Sequence, residues 1–210
     1  MEFDEPATTV HQDQMILSTS SDVELDLLKD FQTMYLDSPH ADFKLLVQDD
    51  AIRVHKCVLS ARSPVFAKLL ASSMAEMSND EIKIDDIEIP ILKTFINFLY
   101  TGRLPEAELE FDNVCGLYYA ADKYDVPSLR KWCSNYLAFK MDAENACRLL
   151  SLANRHSDEK LKDLVMDYIK FEFEAVLGSE SLAEFVKNET ELAIEVLKLR
   201  GKKIEKKSSS

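Results

Sequence analysis

The chain has 210 residues, 46% of them hydrophobic, which is enough to bury a core in one large or two small domains. A formal net charge of −13 argues against direct nucleic-acid binding, because release of backbone counterions needs Lys and Arg clustered on one face. No apolar run approaches the roughly 20 residues that cross a bilayer, and the N-terminus lacks the basic-then-apolar order of a signal peptide; the expectation is an intracellular protein, cytoplasmic or nuclear, with no membrane partner.

Residues 1–20 mix Asp, Glu, Gln, Thr and Ser without a sustained period and read as a flexible lead-in. Order is expected from Ser21, where Ser21-Asp22-Val23-Glu24 resembles a capping box. Leu27, Leu28, Phe31, Met34 and Tyr35 then recur at helical spacing up to Ser38-Pro39, so one face of this first helix is apolar. That stripe either packs on its own domain or meets a second subunit.

Phe43, Leu45 and Val47 alternate with other residues, Gln48-Asp49-Asp50 turns the chain, and Ile52 and Val54 alternate again, which is the pattern of a β-hairpin. Two short helices follow around Val58-Leu59 and Val65 to Leu70, with Ser63-Pro64 as cap and first-turn proline between them. Glu81 to Ile84 is a third short strand. A helix opened by Pro90 runs through Ile91, Phe95, Ile96, Phe98 and Leu99 to Thr101-Gly102, and it is apolar nearly all round, as a central buried helix would be.

After Pro105 the chain is helical throughout. Helices are expected from Phe111 to Lys123, from Pro127 through Trp132, Tyr136 and Leu137, from Ala143 to Asn154, from Asp158 to Leu177, and from Leu182 to about Lys187. A last one runs from Glu189 to Leu199, with Gly201 as its stop. The order of strands, helix pair, strand and then helices alone points to an α+β domain with a helical extension. The expected limits are a flexible segment at 1–20, the α+β domain at 21–139, the extension at 140–200 and a disordered basic tail at 201–210. Lys198, Arg200, Lys202, Lys203, Lys206 and Lys207 near that tail read as a solvated end, although short basic runs also serve as nuclear import signals.

Enzymatic chemistry has little support. His11, His40, His55 and His156 form no ligand-spaced cluster, no GxSxG elbow occurs, and four glycines leave no Gly-rich phosphate loop, so neither cofactor nor metal is expected. His55 after a strand reads as a structural residue holding the strand-to-helix turn. Cys57, Cys115, Cys133 and Cys147 are widely spaced, with no CxxC pair, and read as buried reduced thiols.

His55-Lys56-x-x-Leu59-x-x-Arg62-Ser63-x-x-Phe66, preceded by Asp42 and followed by Phe98-Leu99-Tyr100-Thr101-Gly102 and Ala120-Ala121-Asp122-Lys123-Tyr124, resembles the BTB/POZ domain over roughly Leu25 to Phe139. Ala61 to Phe66 and Glu144-Asn145-Ala146, with Ala153 and His156-Ser157, look most like the speckle-type POZ (MATH-BTB) proteins, whose BTB domain is followed by a 3-box and a BACK region, here shortened. Those relatives carry an N-terminal MATH domain that captures the substrate; only the polar lead-in stands before the first helix here.

The resemblance implies the BTB fold, a homodimer, and a substrate-adaptor scaffold that recruits cullin-3 in a ubiquitin ligase, with an unknown protein substrate. The family's cullin signature, a large apolar residue, any residue, then Glu, is matched by Met74-Ala75-Glu76. Asp122 and Tyr124 are implied as further cullin contacts, with helix-end packing on Pro127 as the other reading of Tyr124. Leu27, Leu28 and Phe31 match first-helix positions at the twofold interface of relatives. Asp42 with Lys56 or Arg62 is implied as a buried structural ion pair beneath that interface, a region that binds corepressors in transcription-factor relatives. The alternative function is a BTB homodimerisation and interaction module in transcriptional regulation without a ligase.

Overall fold

The computed structural model describes residues 8–73, 80–105 and 109–207, with side-chain surroundings over 22–71, 80–105 and 109–198. The chain divides into two compact units, Met1–Glu108 and Leu109–Ser210. That division falls inside the stretch expected from sequence to be one domain, 21–139.

The first unit is built on a three-stranded sheet in the order β2-β1-β3, with β1 Phe43–Val47, β2 Asp50–Val54 and β3 Glu81–Lys83. β1 and β2 are the expected antiparallel hairpin, in register from Phe43↔Val54 to Val47↔Asp50. Gln48 takes a left-handed φ of 52°, the sign that a tight hairpin requires at its first central residue. Alternation puts Phe43, Leu45, Val47, Ile52 and Val54 on the buried face. β3 pairs parallel to β1, Leu45 opposite Ile82, which obliges the chain to cross over through a helix pair.

That pair is α2 (Lys56–Arg62) and α3 (Pro64–Ser73). Ser63 caps α3 as expected: its Oγ accepts from the Phe66 N–H at 3.1 Å, and Pro64 fills the first helical position, where no donor is needed. α4 (Ile89–Thr101) is the central helix, burying Leu92, Phe95, Ile96, Phe98 and Leu99. Gly102 ends it at φ 66°, donating to the Phe98 carbonyl at 2.8 Å; a Cβ there would meet nothing closer than 4.0 Å, so the constraint is conformational and not one of space.

α1 spans Thr8–Leu36 and packs on α4. It begins well before Ser21, inside the segment expected to be flexible. The 8–36 stretch has no Gly or Pro to stop a helix, although Thr, Ser, Val, His and Asp in its first half are only middling helix formers.

The second unit is all helical: α5 (Phe111–Lys123), α6 (Pro127–Phe139), α7 (Ala146–Arg155), α8 (Glu159–Phe171), α9 (Phe173–Leu177), α10 (Ser181–Asn188) and α11 (Thr190–Lys207). The α5–α6 and α7–α8 corners share one geometry. Asp125 and Ser157 each take φ 51°, and the next residue's N–H returns to the preceding helix, Val126 to Ala121 O at 2.8 Å and Asp158 to Ala153 O at 2.9 Å. Leu117, Leu129, Cys133, Leu137, Leu149, Leu150, Leu161, Val165 and Ile169 form the core.

Two expectations need correction. The helix read from Asp158 to Leu177 is broken at Glu172 into α8 and α9. Gly201 does not stop the last helix, and 201–207, read as disordered tail, is helical; a single Gly costs about 1 kcal/mol relative to Ala, too little to end a run of Lys, Leu, Ile and Glu.

Because Ser63 serves as cap for a helix on which the crossover depends, Ser63→Ala lowers the unfolding free energy by about 1 kcal/mol. Urea titration checks this, with the midpoint falling and the slope unchanged.

Candidate functional site

Two sites emerge within the first unit. On α1, Val23 (68% exposed), Leu27 (55%) and Phe31 (37%) recur every fourth residue and so lie along one face. Leu28 is half-buried, and Tyr35 packs inward with its ring 5.2 Å from that of Tyr100 and its hydroxyl donating to the Lys93 carbonyl at 3.4 Å. The helix therefore has one face on α4 and an apolar face open to solvent, flanked by Asp22, Glu24, Asp26 and Asp30.

The second lies at the end of β2. The His55 side chain, 5% exposed, pairs through Nδ1 with the Tyr100 hydroxyl at 2.8 Å and through Nε2 with the Pro39 carbonyl at 2.8 Å. A carbonyl only accepts, so Nε2 carries the hydrogen and Nδ1 accepts from Tyr100. The same hydroxyl accepts the His55 backbone N–H at 2.8 Å. Burial pushes the Tyr100 phenol up to about 12. His55 thus holds the turn, the role read from its sequence position.

The expected charge pocket is not formed as an ion pair. Asp42 accepts from the backbone N–H of Lys56 at 2.9 Å, at the N-terminal end of α2, while the Lys56 ammonium pairs with Asp80 at 2.6 Å. Arg62 donates its Nε to the Leu99 carbonyl at 3.0 Å and lies 5.9 Å from the centre of the Phe98 ring. Asp42 and Arg62 are exposed, so neither charge needs a mutual partner to offset desolvation, and each serves a helix end instead.

In the second unit a polar cluster gathers around Arg130. Its guanidinium reaches Asp122 Oδ1 at 3.1 Å, the Tyr118 hydroxyl at 3.2 Å and the His156 carbonyl at 2.8 Å. Asp122 Oδ2 pairs with His156 Nδ1 at 2.8 Å, and the Tyr118 hydroxyl donates to Asp158 Oδ2 at 2.9 Å. Asp158 Oδ1 caps α8 by accepting from the Leu161 N–H at 3.1 Å. Burial pushes the Tyr118 phenol up to about 12. Burial also works against the Arg130 charge, but the Tyr118 hydrogen bond and the two carboxylates outweigh it and hold its pKa above the ordinary value.

Of the residues implied as cullin contacts, Asp122 is committed to this cluster, with 30% of its side chain exposed. Tyr124 is 3% exposed and packs inside the unit, so it is corrected from a contact to a core residue. Met74 and Glu76 lie outside the described residues. Glu144-Asn145-Ala146 is structural: the Asp142 and Asn145 side chains exchange hydrogen bonds with each other's backbone N–H at 2.9 Å before α7, and Glu144 accepts from the Glu180 N–H at 3.1 Å. Sequence reasoning missed Tyr118, Arg130 and Asp158, whose only signal is an Asp three residues before a helical Leu, a common capping pattern.

A cavity of about 300 Å³ lies in the same unit, its wall including Cys115, Cys147, Leu152 and Phe185, with Arg148 and Arg155 also lining it. Burial pushes the Cys115 thiol up to about 11, which leaves it a weak nucleophile at neutral pH. Among the described residues no cluster of three or more His, Cys, Asp and Glu is placed to hold a metal ion, and no helix is long and apolar enough to cross a membrane.

The BTB/POZ domain family model matches residues 31–141. The chain is 29% identical over 145 residues to a BTB/POZ domain-containing protein of Arabidopsis thaliana, an alignment covering 69% of this chain and 58% of that protein. It is 34% identical over 105 residues to TD and POZ domain-containing protein 4 of Mus musculus, covering 50% of this chain and 28% of that protein. Protein maternal effect lethal 26 of Caenorhabditis elegans is 32% identical over 143 residues, covering 68% of this chain and 35% of that protein. The chain thus spans between 28% and 58% of the length of these relatives.

The buried phenols and thiols make an alkaline limit to stability. Cys133 is pushed up to about 12 by burial, from an ordinary value of 9.0. Such a group binds its proton more tightly when folded, so its contribution is whole below pH 9 and is lost as pH rises towards 12, together with those of Tyr100 and Tyr118. Thermal melts from pH 8 to 11 are expected to show Tm falling steadily above pH 9. Of the four cysteines expected to be buried, Cys133 and Cys147 are, Cys115 is half-buried and Cys57 is exposed, so iodoacetamide at pH 8 followed by mass spectrometry is expected to modify Cys57 ahead of Cys133 and Cys147.

Proposed function

Because the chain belongs to the BTB/POZ domain family, a family of protein-interaction modules, we propose that it is a dimeric substrate adaptor of a cullin-3 ubiquitin ligase. The observation that carries the dimer is the open apolar face of α1, Val23, Leu27 and Phe31; of these Leu27 and Phe31, with half-buried Leu28, are the positions that the resemblance places at a twofold interface. An isologous contact between two such faces buries what a monomer leaves in water. A dimer offers two partner sites on one particle, which raises the effective concentration of the second binding event once the first is made.

The cullin part of the proposal is supported by the Met74-Ala75-Glu76 spacing in the sequence. A flexible Met suits an apolar groove on a partner helix, and a Glu suits that helix's N-terminal donors. Closeness to the speckle-type proteins, and the reading of 140–200 as a 3-box with a partial BACK region, are supported by Glu144-Asn145-Ala146 and His156-Ser157. The substrate is a protein, unidentified. The second reading, a homodimerising transcriptional module without a ligase, uses the same α1 face and predicts corepressor binding in place of cullin binding.

Leu27→Asp with Phe31→Asp is expected to halve the mass seen by light scattering; an unchanged dimer would show that α1 is not the interface. Met74→Glu and Glu76→Lys are each expected to weaken binding to the cullin-3 N-terminal region at least tenfold in calorimetry, with the dimer intact. Full binding by both variants sinks the adaptor reading.

A further inference from the structure

The cavity of about 300 Å³ in the second unit has two helical walls of opposite charge. Arg148, Leu152 and Arg155 stand at i, i+4 and i+7 on α7, so one face of that helix lines the cavity and carries a guanidinium near each end. On α10, Glu184 and Phe185 share a face with Asn188, and Glu189 follows as the C-cap. One wall is therefore basic and the other acidic. Cys115, Cys147, Leu152 and Phe185 supply apolar surface between the charges, with Cys147 and Phe185 buried.

The two arginines are not equally committed. Arg148 pairs with Asp112 at 2.8 Å, and its guanidinium lies 5.8 Å from the Phe111 ring centre. Arg155 reaches Glu189 only at 3.4 Å, longer than the roughly 2.9 Å of a tight charge-assisted bond, and 70% of its side chain is exposed. Its fork is open to a better-placed carboxylate.

We propose that this cavity binds a small apolar zwitterion, a free amino acid with a large aliphatic or aromatic side chain or a dipeptide of such residues. Its carboxylate meets Arg155 through two parallel N–H bonds, its ammonium meets Glu184 or Glu189, and its side chain covers Leu152 and Phe185. The charges of Arg148, Arg155, Glu184 and Glu189 cancel, so a simple anion or a simple cation is repelled by one wall as much as it is drawn to the other. A ligand carrying both charges gains from both walls. The size agrees: 300 Å³ is about ten water volumes, the lower end of the range for ligand pockets and the room an amino acid needs. Binding makes no covalent bond. The inference does not use the adaptor reading, since none of its residues belongs to the α1 face or to Met74-Ala75-Glu76.

The test is calorimetric titration of the full chain with L-phenylalanine, L-leucine and the dipeptide phenylalanyl-leucine, and with phenylpropionate and phenethylamine, which carry one charge each. At least one zwitterion is expected to saturate at one per chain with Kd below about 1 mM, and both single-charge probes to bind at least tenfold more weakly. The tighter of amino acid and dipeptide identifies the source. Arg155→Gln, and Glu184→Gln combined with Glu189→Gln, are each expected to weaken binding about tenfold, with thermal melting of each variant confirming that it is folded. The bound zwitterion is also expected to slow alkylation of Cys115 by iodoacetamide and to leave the rate at Cys57 unchanged. Absence of saturation by every zwitterion at about 10 mM overturns the proposal. Equal binding of phenylpropionate overturns it too, because the cavity is then a plain anion site. Full binding by both folded variants, or an unprotected Cys115 in the saturated chain, places the ligand elsewhere and overturns it as well.

Discussion

One buried hydroxyl holds the first unit together. Tyr100, at the last turn of α4, accepts the His55 backbone N–H and donates to the His55 ring, which itself reaches the Pro39 carbonyl. Three separate pieces of chain are therefore fixed relative to one another: the end of β2, the C-terminal end of α4 and the link between α1 and β1. The Tyr35 ring on α1 then rests against the Tyr100 ring. If the hydroxyl were absent, the His55 N–H and ring nitrogen would both be left buried without this partner, at a cost of roughly 1–3 kcal/mol each. The open face of α1 has a defined direction only because its other face is set on this joint.

The second unit solves the same problem with charge. Two of its helical corners use left-handed Asp125 and Ser157 in place of glycine. Around the Ser157 corner, two carboxylates, one guanidinium, a phenol and an imidazole satisfy one another, and among the described residues no buried side-chain polar atom lacks a partner. Among the described residues His55 is spent on a turn, the Tyr118 and Tyr100 phenols on hydrogen bonds and the Cys133 thiol in the core.

Periodicity and turn chemistry made most of the fold legible. The hairpin, the Ser63 cap, the Gly102 stop and the limits of α5 could all be read because each is decided by a few adjacent residues. What local reading could not settle was decided elsewhere in the chain. The early start of α1 has no Gly or Pro against it, and the single Gly201 is too weak a stop to end α11. The resemblance implied a buried pair of Asp42 with Lys56 or Arg62, yet Asp42 and Arg62 are exposed and each bonds to backbone. Tyr124 looked like a contact residue, and burial removed it. The Arg130 cluster joins residues up to 40 positions apart, a relation that no single-sequence pattern records.

The crossed sheet has a consequence for the nascent chain. β1 gains β2 at once through a two-residue turn, but its other edge waits for β3, with Lys44 paired to Glu81 only after α2, α3 and the residues beyond them have been synthesised. At about 5–20 residues per second, that edge stands unpaired for some seconds on the ribosome. An uncovered strand edge is a template for pairing with any other chain. Lys44 on β1 sets a charge along that edge, which works against such pairing until β3 has been made.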